Sequence, residues 1–536
     1  MGAKPKKRSK VWARGSVGPN KGSVAGLFIA ILLGTLSFVL LFPWNGLLPL
    51  FTVPLVVGAL LGLLAIDLRE SIVAGVVSGL IGSSLACVFY RFDEFLRYME
   101  RTSPAAVADV TGSLWQGFLI PLLSANPIND PRVGSLLVVL ASTLLTVAFS
   151  AGSWWLAQRL GSTVDRRWLG LMVIVPLGVC LAYTVVVRSS AFVASISTEP
   201  AAESYAYDGV INLKTYYLIR GGANYYDAII AAVAGDSRIN EIKNNKWNGA
   251  WGVNSPSRVK PPTVFYLWAT AGFLGASGIV WASLLLSIGL WALWYWALFP
   301  TLGQRALFIA PALFPLFVFH QAWFNLFLPD WWAVLMLMAS AAFLIRRSYV
   351  ASAAFAVAAA MCREVFVVYL MLVLVVAAVL WLRKRLAART VAIFGVAQLA
   401  FMGLYAVHYA IAATYMGDVA VKENTMGNTL AIMGKPFEVK FLGATSYLMF
   451  PYGDAVMPAF VLAIIGAAGL FLLLREADLA RLALSCYLIL FLVFLATIGA
   501  SSSYWGQDIS PLAVTGCAVL LAGLDRLGKG PDATKS

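Results

Sequence analysis

A few charged side chains stand out in a chain that is otherwise rich in apolar residues. Asp208 lies in "SYAYDGVINL", Asp330 in "FLPDWW", Arg363 and Glu364 in "MCREVF", and Asp508 in "SYWGQDISP". A carboxylate can accept a proton from a reacting hydroxyl group, and a guanidinium group can bind a phosphate through two parallel hydrogen bonds. Charged residues close to a bilayer are costly and are usually retained for function, so these positions are the candidate site residues.

Each of these residues also has a purely structural interpretation. Asp330 and Asp508 precede apolar stretches and could cap the first turn of a helix. Arg363 and Glu364 could form a local pair at the membrane surface, and Asp208 could be an ordinary loop or cap residue. The residue types alone leave both interpretations open.

The composition indicates that a membrane surrounds these residues. Of the 536 residues, 60% are hydrophobic and 12% are charged, and the mean hydropathy is +0.82. Soluble proteins carry about 25% charged residues, and apolar runs long enough to span a bilayer recur along the whole chain. We therefore expect an all-α polytopic membrane protein with about 14 transmembrane helices. The expected spans are 24–43, 47–66, 71–90, 134–156, 168–188, 278–299, 305–325, 331–346, 349–362, 365–382, 391–415, 456–474, 481–500 and 509–525.

The net charge of +14 comes from short basic clusters between the apolar runs, such as Arg346-Arg347 and Arg383-Lys384-Arg385. This distribution is typical of cytoplasmic loops and argues against nucleic-acid binding. With the N-terminus in the cytoplasm, these clusters fall on the inner side, and both termini are cytoplasmic. All the candidate site residues then fall on the outer face of the plasma membrane. The outer loops are 91–133, 189–277, 326–330, 416–455 and 501–508.

The chain divides into four predicted regions. A basic cytoplasmic tail, 1–23, is followed by an accessory transmembrane module, 24–160, whose helices are rich in small residues. The main transmembrane core covers 165–525, with 189–277 as its large first outer loop, and 526–536 is a second cytoplasmic tail.

Within the 189–277 loop, the pattern predicts helices that lie on the membrane. "INLKTYYLI" has helical apolar spacing, and Gly221 and Gly222 predict a turn. We expect Asp227 to cap the helix that follows, and "KPPTVFYLWATAG" to begin an interfacial helix with proline in its first turn. The histidines, His320 and His408, are far apart in apolar stretches and are expected to be satisfied interior residues rather than metal ligands.

Several of these motifs together resemble the GT-C superfamily of integral-membrane glycosyltransferases. They are the acidic residue in the first outer loop, "LIRGGANYYDAI", the segment "PPTVFYL" and the later "RE" at the start of a helix. The resemblance covers residues 165–525. It implies a GT-C-like core and a polyprenyl-phosphate sugar donor, as in mannosyl-, arabinosyl- and aminoarabinosyltransferases.

The resemblance also implies roles for the candidate residues. Asp208 is similar in placement to the catalytic base, which accepts the proton of an attacking hydroxyl group. Arg363 would bind the departing lipid phosphate, and Asp330 would orient a sugar, an acceptor or a divalent metal ion. The remaining substrate-binding candidates are Arg220, Arg258, Lys260, Tyr207, Glu364 and Asp508.

A divalent metal cofactor, Mg²⁺ or Mn²⁺, is a further possibility that the resemblance raises. Asp208 and Glu203 are the candidate ligands, but a spacing of five positions does not place both on one face of a helix. The acceptor could be a glycan, a lipid or a protein, and membrane lipids surround the core.

Two other functions fit parts of the sequence. A lipid-linked glycan polymerase or ligase would handle related substrates, although such enzymes commonly use an outer-loop histidine, which is missing here. A transporter or flippase would place charged residues near mid-membrane and interrupt its helices. The chain has neither a Rossmann glycine fingerprint nor a P-loop, which disfavours nucleotide binding.

Overall fold

The computed structural model of the protein describes ten stretches of the chain, and all of them are built from helices. They are 24–41, 47–101, 131–160, 166–196, 204–234, 259–272, 275–321, 324–416, 459–498 and 509–527. We number the α-helices in chain order. They are α1 Val24–Leu41, α2 Leu47–Leu64, α3 Leu68–Arg101, α4 Pro131–Leu160, α5 Arg166–Ile196, α6 Ser204–Arg220, α7 Tyr225–Ala234, α8 Thr263–Ala271, α9 Ala276–Leu302, α10 Ile309–Gln321, α11 Pro329–Ile345, α12 Tyr349–Cys362, α13 Val367–Leu382, α14 Ala388–Met416, α15 Ala459–Leu473, α16 Asp478–Ile498 and α17 Ser510–Leu527.

A helix occurs at each of the predicted spans, which confirms the all-helical class. Among the described residues, six segments are long and apolar enough to cross a membrane. Further apolar helices, including α11 and α12, are shorter than such a span, so the expected total of about 14 crossings stays a prediction. The six segments are Leu68–Ala86, Val138–Leu160, Ala276–Val318, Glu364–Leu382, Ala388–Tyr415 and Ser510–Leu527.

Helices α1 to α4 pack closely because small residues line their contacts. The Ser71 and Ser150 hydroxyls lie 2.7 Å apart, and Ser150 Oγ also donates to the Ser71 carbonyl at 2.9 Å. A side chain at Gly62 would collide with the backbone of α4 at Ser150. This group of helices packs on the rest of the bundle through α1 against α10 and α17, and through α2 against α5.

An antiparallel helix pair, α11 and α12, positions the charged residues, and nearly every residue of α11 is buried. Ser340 of α11 donates to the Ser352 carbonyl of α12 at 2.7 Å, while Arg347 turns the chain between them with a φ of 59°. Arg347 also contacts the Glu476 carbonyl. The two helices therefore bring Asp330, at the start of α11, to the same end of the pair as Arg363, which follows α12.

The first part of the 189–277 stretch folds as two helices joined by the predicted glycine turn. Gly222 has a φ of 98°, which a residue with a side chain rarely adopts. The expectation that Asp227 caps α7 is wrong. The helix begins two residues earlier, at Tyr225, and Asn224 Oδ1 accepts the Asp227 N–H at 3.0 Å. The helix α8 starts at Thr263 with Pro262 as its N-cap, so the prolines precede its first turn.

Candidate functional site

An ion pair between Asp330 and Arg363 is the centre of the site. Asp330 Oδ1 accepts a hydrogen bond from Arg363 Nε at 2.9 Å, and the two residues are only 1% and 8% exposed. Arg363 has extended backbone geometry that ends α12, and this departure from the helix directs the chain away at the point where the pair forms. The N-cap of α11 is Leu328, without a side-chain cap bond, so Asp330 does not act as the cap.

Two tryptophans beside Asp330 anchor the start of α11. Trp332 Nε1 donates to the Leu326 carbonyl at 2.9 Å, and Trp331 Nε1 donates to Ser283 Oγ of α9 at 3.3 Å. Both rings are fully buried. The carboxylate is therefore held by a packed scaffold, as a site that binds a ligand in one orientation requires.

Glu364 brings a second carboxylate to the same guanidinium. Its Oε1 accepts a hydrogen bond from Arg363 Nη1 at 3.2 Å, and its side chain is about one-third exposed. Arg363 thus joins a buried carboxylate to one at the rim of the site. Arg363 therefore does not form only a local pair with its neighbour Glu364, because it also binds Asp330, which lies 33 residues earlier in the chain.

Lys260 adds a second cation to this group. Its positive charge acts on the Asp330 carboxylate together with that of Arg363. The Lys260 backbone carbonyl accepts a hydrogen bond from the Tyr225 hydroxyl at 2.6 Å, and the preceding Val259 carbonyl is bonded to His408 Nε2 at 2.8 Å. The described site therefore contains two carboxylates, Asp330 and Glu364, and two cations, Arg363 and Lys260.

Tyrosines from α7 line the side of the site next to Lys260. Complete burial raises the pKa of Tyr225 well above its ordinary value, and burial also raises the pKa of Tyr226. A phenol is protonated at neutral pH even with its ordinary pKa, and burial strengthens this preference, so both tyrosines can donate hydrogen bonds. Tyr226 stacks on His408 and Tyr415, with ring centroids 5.8 and 5.2 Å apart.

Helix α6 carries Asp208 toward the same end of the molecule. Asn212 Nδ2 donates to the Phe327 carbonyl at 2.9 Å, three residues before Asp330. Asp208 lies one helical turn before Asn212 in α6. Helix α6 is also tied to α8, because Tyr216 Oη donates to the Gly272 carbonyl at 2.9 Å. The side chains of Tyr207 and Asp208 lie outside the described part of the structure.

The remaining predicted site residues divide into two groups. Arg220 ends α6, about 18 Å along the helix axis from Asp208, and its guanidinium interacts with Tyr216. The structure therefore places Arg220 away from the end of α6 that carries the base candidate. Glu203, Arg258 and Asp508 fall outside the described residues.

The described residues contain no group of three or more His, Cys, Asp or Glu side chains that could hold a metal ion. The predicted pair of Asp208 and Glu203 includes side chains that are not described. A divalent metal site at these residues stays a prediction.

Sequence reasoning missed the residues that connect the site. His408 was expected to be a satisfied interior histidine, and its hydrogen bonds at both ring nitrogens confirm this. Its contact with the Lys260 segment, however, has no local signal, because the partners lie 149 residues apart. The "NYYDA" motif contained both α7 tyrosines, but the pattern did not indicate which groups they contact.

In comparisons with known proteins, no family model, curated protein or solved structure matches the chain. The fold and the site define a class nevertheless. The described residues are all-helical, with helices of membrane-spanning length and a buried, charged site at one end of the α11–α12 pair.

Proposed function

We propose that the protein is a membrane glycosyltransferase that moves a sugar from a polyprenyl-phosphate donor to an acceptor hydroxyl group. Asp208 acts as the general base, and Arg363 binds the donor phosphate. The observation that carries the proposal is the buried Asp330–Arg363 pair, with Lys260 and Glu364 beside it. An ion pair this deeply buried is expensive, and it contributes little to stability compared with apolar packing.

The charges of this group suit the leaving group of such a reaction. When the bond between the sugar C1 and the phosphate oxygen breaks, the electron pair stays on the lipid phosphate. A guanidinium group stabilises this developing charge through directed N–H donors. The Asp330 carboxylate orients Arg363 for that purpose, and Lys260 adds a further positive charge.

The proton balance of the reaction requires a base on the other side of the sugar. The acceptor hydroxyl forms the new bond to C1 and loses its proton to a carboxylate, for which we propose Asp208. Support comes from the Asn212 hydrogen bond, which ties the helix that carries Asp208 to the turn before Asp330.

The apolar surfaces of α13 and α14 suit a lipid-linked donor. Val396, Leu399 and Met402 of α14 and Met371 and Val375 of α13 expose more than half of their surface. A polyprenyl chain can lie against such a surface within the bilayer. We propose that the reaction takes place on the outer face of the plasma membrane, with a glycan, lipid or protein as the acceptor and residues 24–160 as an accessory module.

The test is the turnover of the purified protein in proteoliposomes that contain a polyprenyl-phosphate sugar. Asp208→Asn is expected to reduce the release of polyprenyl phosphate by about 10²-fold or more, because it removes the proton acceptor. Asp227→Asn is the matched control, since this exposed aspartate lies in the next helix, and it should keep turnover within about two-fold of wild type.

Near-normal turnover in Asp208→Asn would refute its role as the base. Movement of the intact donor across the membrane without release of polyprenyl phosphate would favour a flippase instead. Growth of a lipid-linked glycan chain would indicate the polymerase class.

A further inference from the structure

Two consecutive backbone carbonyls hold the chain on the Lys260 side of the site. The Val259 carbonyl is bonded to His408 of α14, and the Lys260 carbonyl accepts from Tyr225 of α7. We call residues 259 and 260 the strap. Both bonds use backbone atoms, so they fix the path of the chain and leave the Lys260 ammonium group to act on other partners.

The donor and the acceptor can be assigned in both hydrogen bonds of the His408 ring. A carbonyl oxygen can only accept, so Nε2 must carry the hydrogen that bonds to Val259. In a neutral imidazole the other nitrogen is then an acceptor, and the Tyr226 hydroxyl, 3.0 Å from Nδ1, donates to it. The chain of donors thus runs from Tyr226 through His408 to Val259. This assignment uses both ring nitrogens and leaves neither of them for proton transfer.

The strap is also packed so that it has little freedom. Val259 is 3% exposed, and Tyr225, which holds the next carbonyl, packs on Phe265 of α8 with ring centroids 5.0 Å apart. Pro261 and Pro262 follow directly and restrict the backbone further. His408 therefore links α14 to Val259. The following residue, Lys260, acts electrostatically on Asp330.

We propose that His408 is a positioning residue that acts through the Val259 carbonyl to hold Lys260 beside the Asp330–Arg363 pair. There, Lys260 supplies the second cation for a phosphate-bearing ligand. The identity of that ligand as a polyprenyl-phosphate sugar rests on the proposed function, whereas the positioning of Lys260 rests on the two backbone bonds of the strap and on the electrostatic interaction of Lys260 with Asp330.

Kinetics of matched His408 variants test this role. His408→Phe keeps a ring but removes the hydrogen bond to Val259, which is worth about 0.5–1.5 kcal/mol, or about a two- to twelve-fold change. We expect the apparent KM for the polyprenyl-phosphate sugar to rise about five-fold, with a smaller change in kcat, because Lys260 also meets the negative charge that the donor phosphate carries before the bond breaks. His408→Gln can keep a donor near the position of Nε2 and should restore most of the lost affinity.

A double-mutant cycle shows whether His408 acts through Lys260. Lys260→Met should also raise the apparent KM, and adding His408→Phe to it should raise the KM no further, because residues that act as one unit are not additive. If the two effects multiply, His408 acts independently of Lys260 and the proposal is overturned. An effect of His408→Phe on kcat alone would also contradict it.

A second measurement tests the strap without turnover. In Lys260→Cys, the rate of reaction with an anionic methanethiosulfonate reagent is compared between His408 and His408→Phe backgrounds, with the protein lacking the new cysteine as the blank. We expect a change of about three-fold or more when the strap is released. Lys214→Cys, on α6, serves as the control and should react equally in both backgrounds.

The two measurements separate the possible failures. An equal rate at position 260 in both backgrounds would overturn the positioning role, whatever the enzyme does. A changed reaction rate at position 260 in a protein that releases no polyprenyl phosphate would refute the proposed function and would still support the positioning role of His408.

Discussion

At the scale of single residues, the site depends on balanced charges in a buried setting. Arg363 is shared between a buried carboxylate, Asp330, and a partly exposed one, Glu364. Breaking a buried pair by removing one partner costs about 3–5 kcal/mol, because it leaves an unpaired charge. An exposed pair is worth about 0–1 kcal/mol. The two carboxylates of Arg363 should therefore respond very differently to substitution.

The first prediction concerns Arg363 and its buried partner. Arg363→Met is expected to lower the free energy of unfolding by about 3 kcal/mol or more, because Asp330 stays buried without its partner. Adding Asp330→Asn should recover most of that stability but not the binding of the donor, since the cation is still missing. Thermal unfolding in detergent and titration with a polyprenyl-phosphate sugar measure the two effects.

Glu364→Gln is the control for this prediction. Its partner bond is at the rim of the site, so unfolding should shift by less than about 1 kcal/mol. A loss of stability as large as that of Arg363→Met would show that the two carboxylates are equivalent, contrary to their burial.

At the scale of elements, the hydrogen bond from α6 to the turn before α11 connects the base candidate to the ion pair. Asn212 is 4% exposed, and its amide meets a backbone carbonyl rather than another side chain. A backbone carbonyl cannot move away without disturbing the start of α11. This contact therefore helps to fix α6 relative to Asp330, together with the packing of α6 on residues 324–327.

The second prediction follows from that contact. Asn212→Leu should lower the free energy of unfolding by about 1–3 kcal/mol, because it removes the side-chain donor to the buried Phe327 carbonyl. It should also lower kcat for sugar transfer more than it raises the KM for the donor. Thr215→Val, which removes a buried bond within α6 only, should leave kcat nearly unchanged. Equal kcat values in the two variants would show that the position of α6 does not affect catalysis.

The third prediction concerns the turn between α6 and α7. Gly222→Ala forces a side chain into a positive φ and should cost about 1 kcal/mol, measured as a lower unfolding temperature. Gly221→Ala is the neighbouring control, because φ at Gly221 is not positive, and its effect should be smaller. The reverse order would show that the turn relaxes to another geometry.

At the scale of the whole molecule, the two ends of the bundle have different chemistry. One end holds Asp330, Arg363 and Lys260. The other holds the basic residues that follow α11, α13 and α15. At that end, Asp478 forms ion pairs with Arg385 at 3.8 Å and with Arg481 at 2.9 Å. Arg305 binds Asp525 at 2.8 Å and the Ala522 carbonyl at 3.1 Å, which joins the turn after α9 to α17. The separation of the buried charged site from the basic clusters agrees with the positive-inside pattern.

The fourth prediction tests the orientation in the membrane. A cysteine at the exposed Gly221 should react with a membrane-impermeant thiol reagent added outside intact cells. A cysteine at Ser348, in the turn between α11 and α12, should react only after the cells are permeabilised. Labelling in the opposite pattern would invert the proposed topology and would move the site to the cytoplasmic face.

The sequence by itself determined which parts of the chain are helical and where the charged residues interrupt them. Long apolar runs leave the backbone no partners in a membrane other than its own carbonyls, so helices form at every predicted span. The glycine turn at Gly221 and Gly222 was equally predictable from the sequence, because backbone conformation there is a local property. The error at Asp227 was local too, since the start of a helix is uncertain by a residue or two.

Only the tertiary structure decided which of these residues meet. Asp330 and Arg363 pair across 33 residues, and Val259 reaches His408 across 149. Apolar helices can pack in many registers, and neither hydropathy nor charge patterning selects among them. The selection comes from small residues that let helices approach and from buried polar groups that must find partners. For this reason the candidate residues could be chosen from the sequence, whereas the strap that holds Lys260 could not.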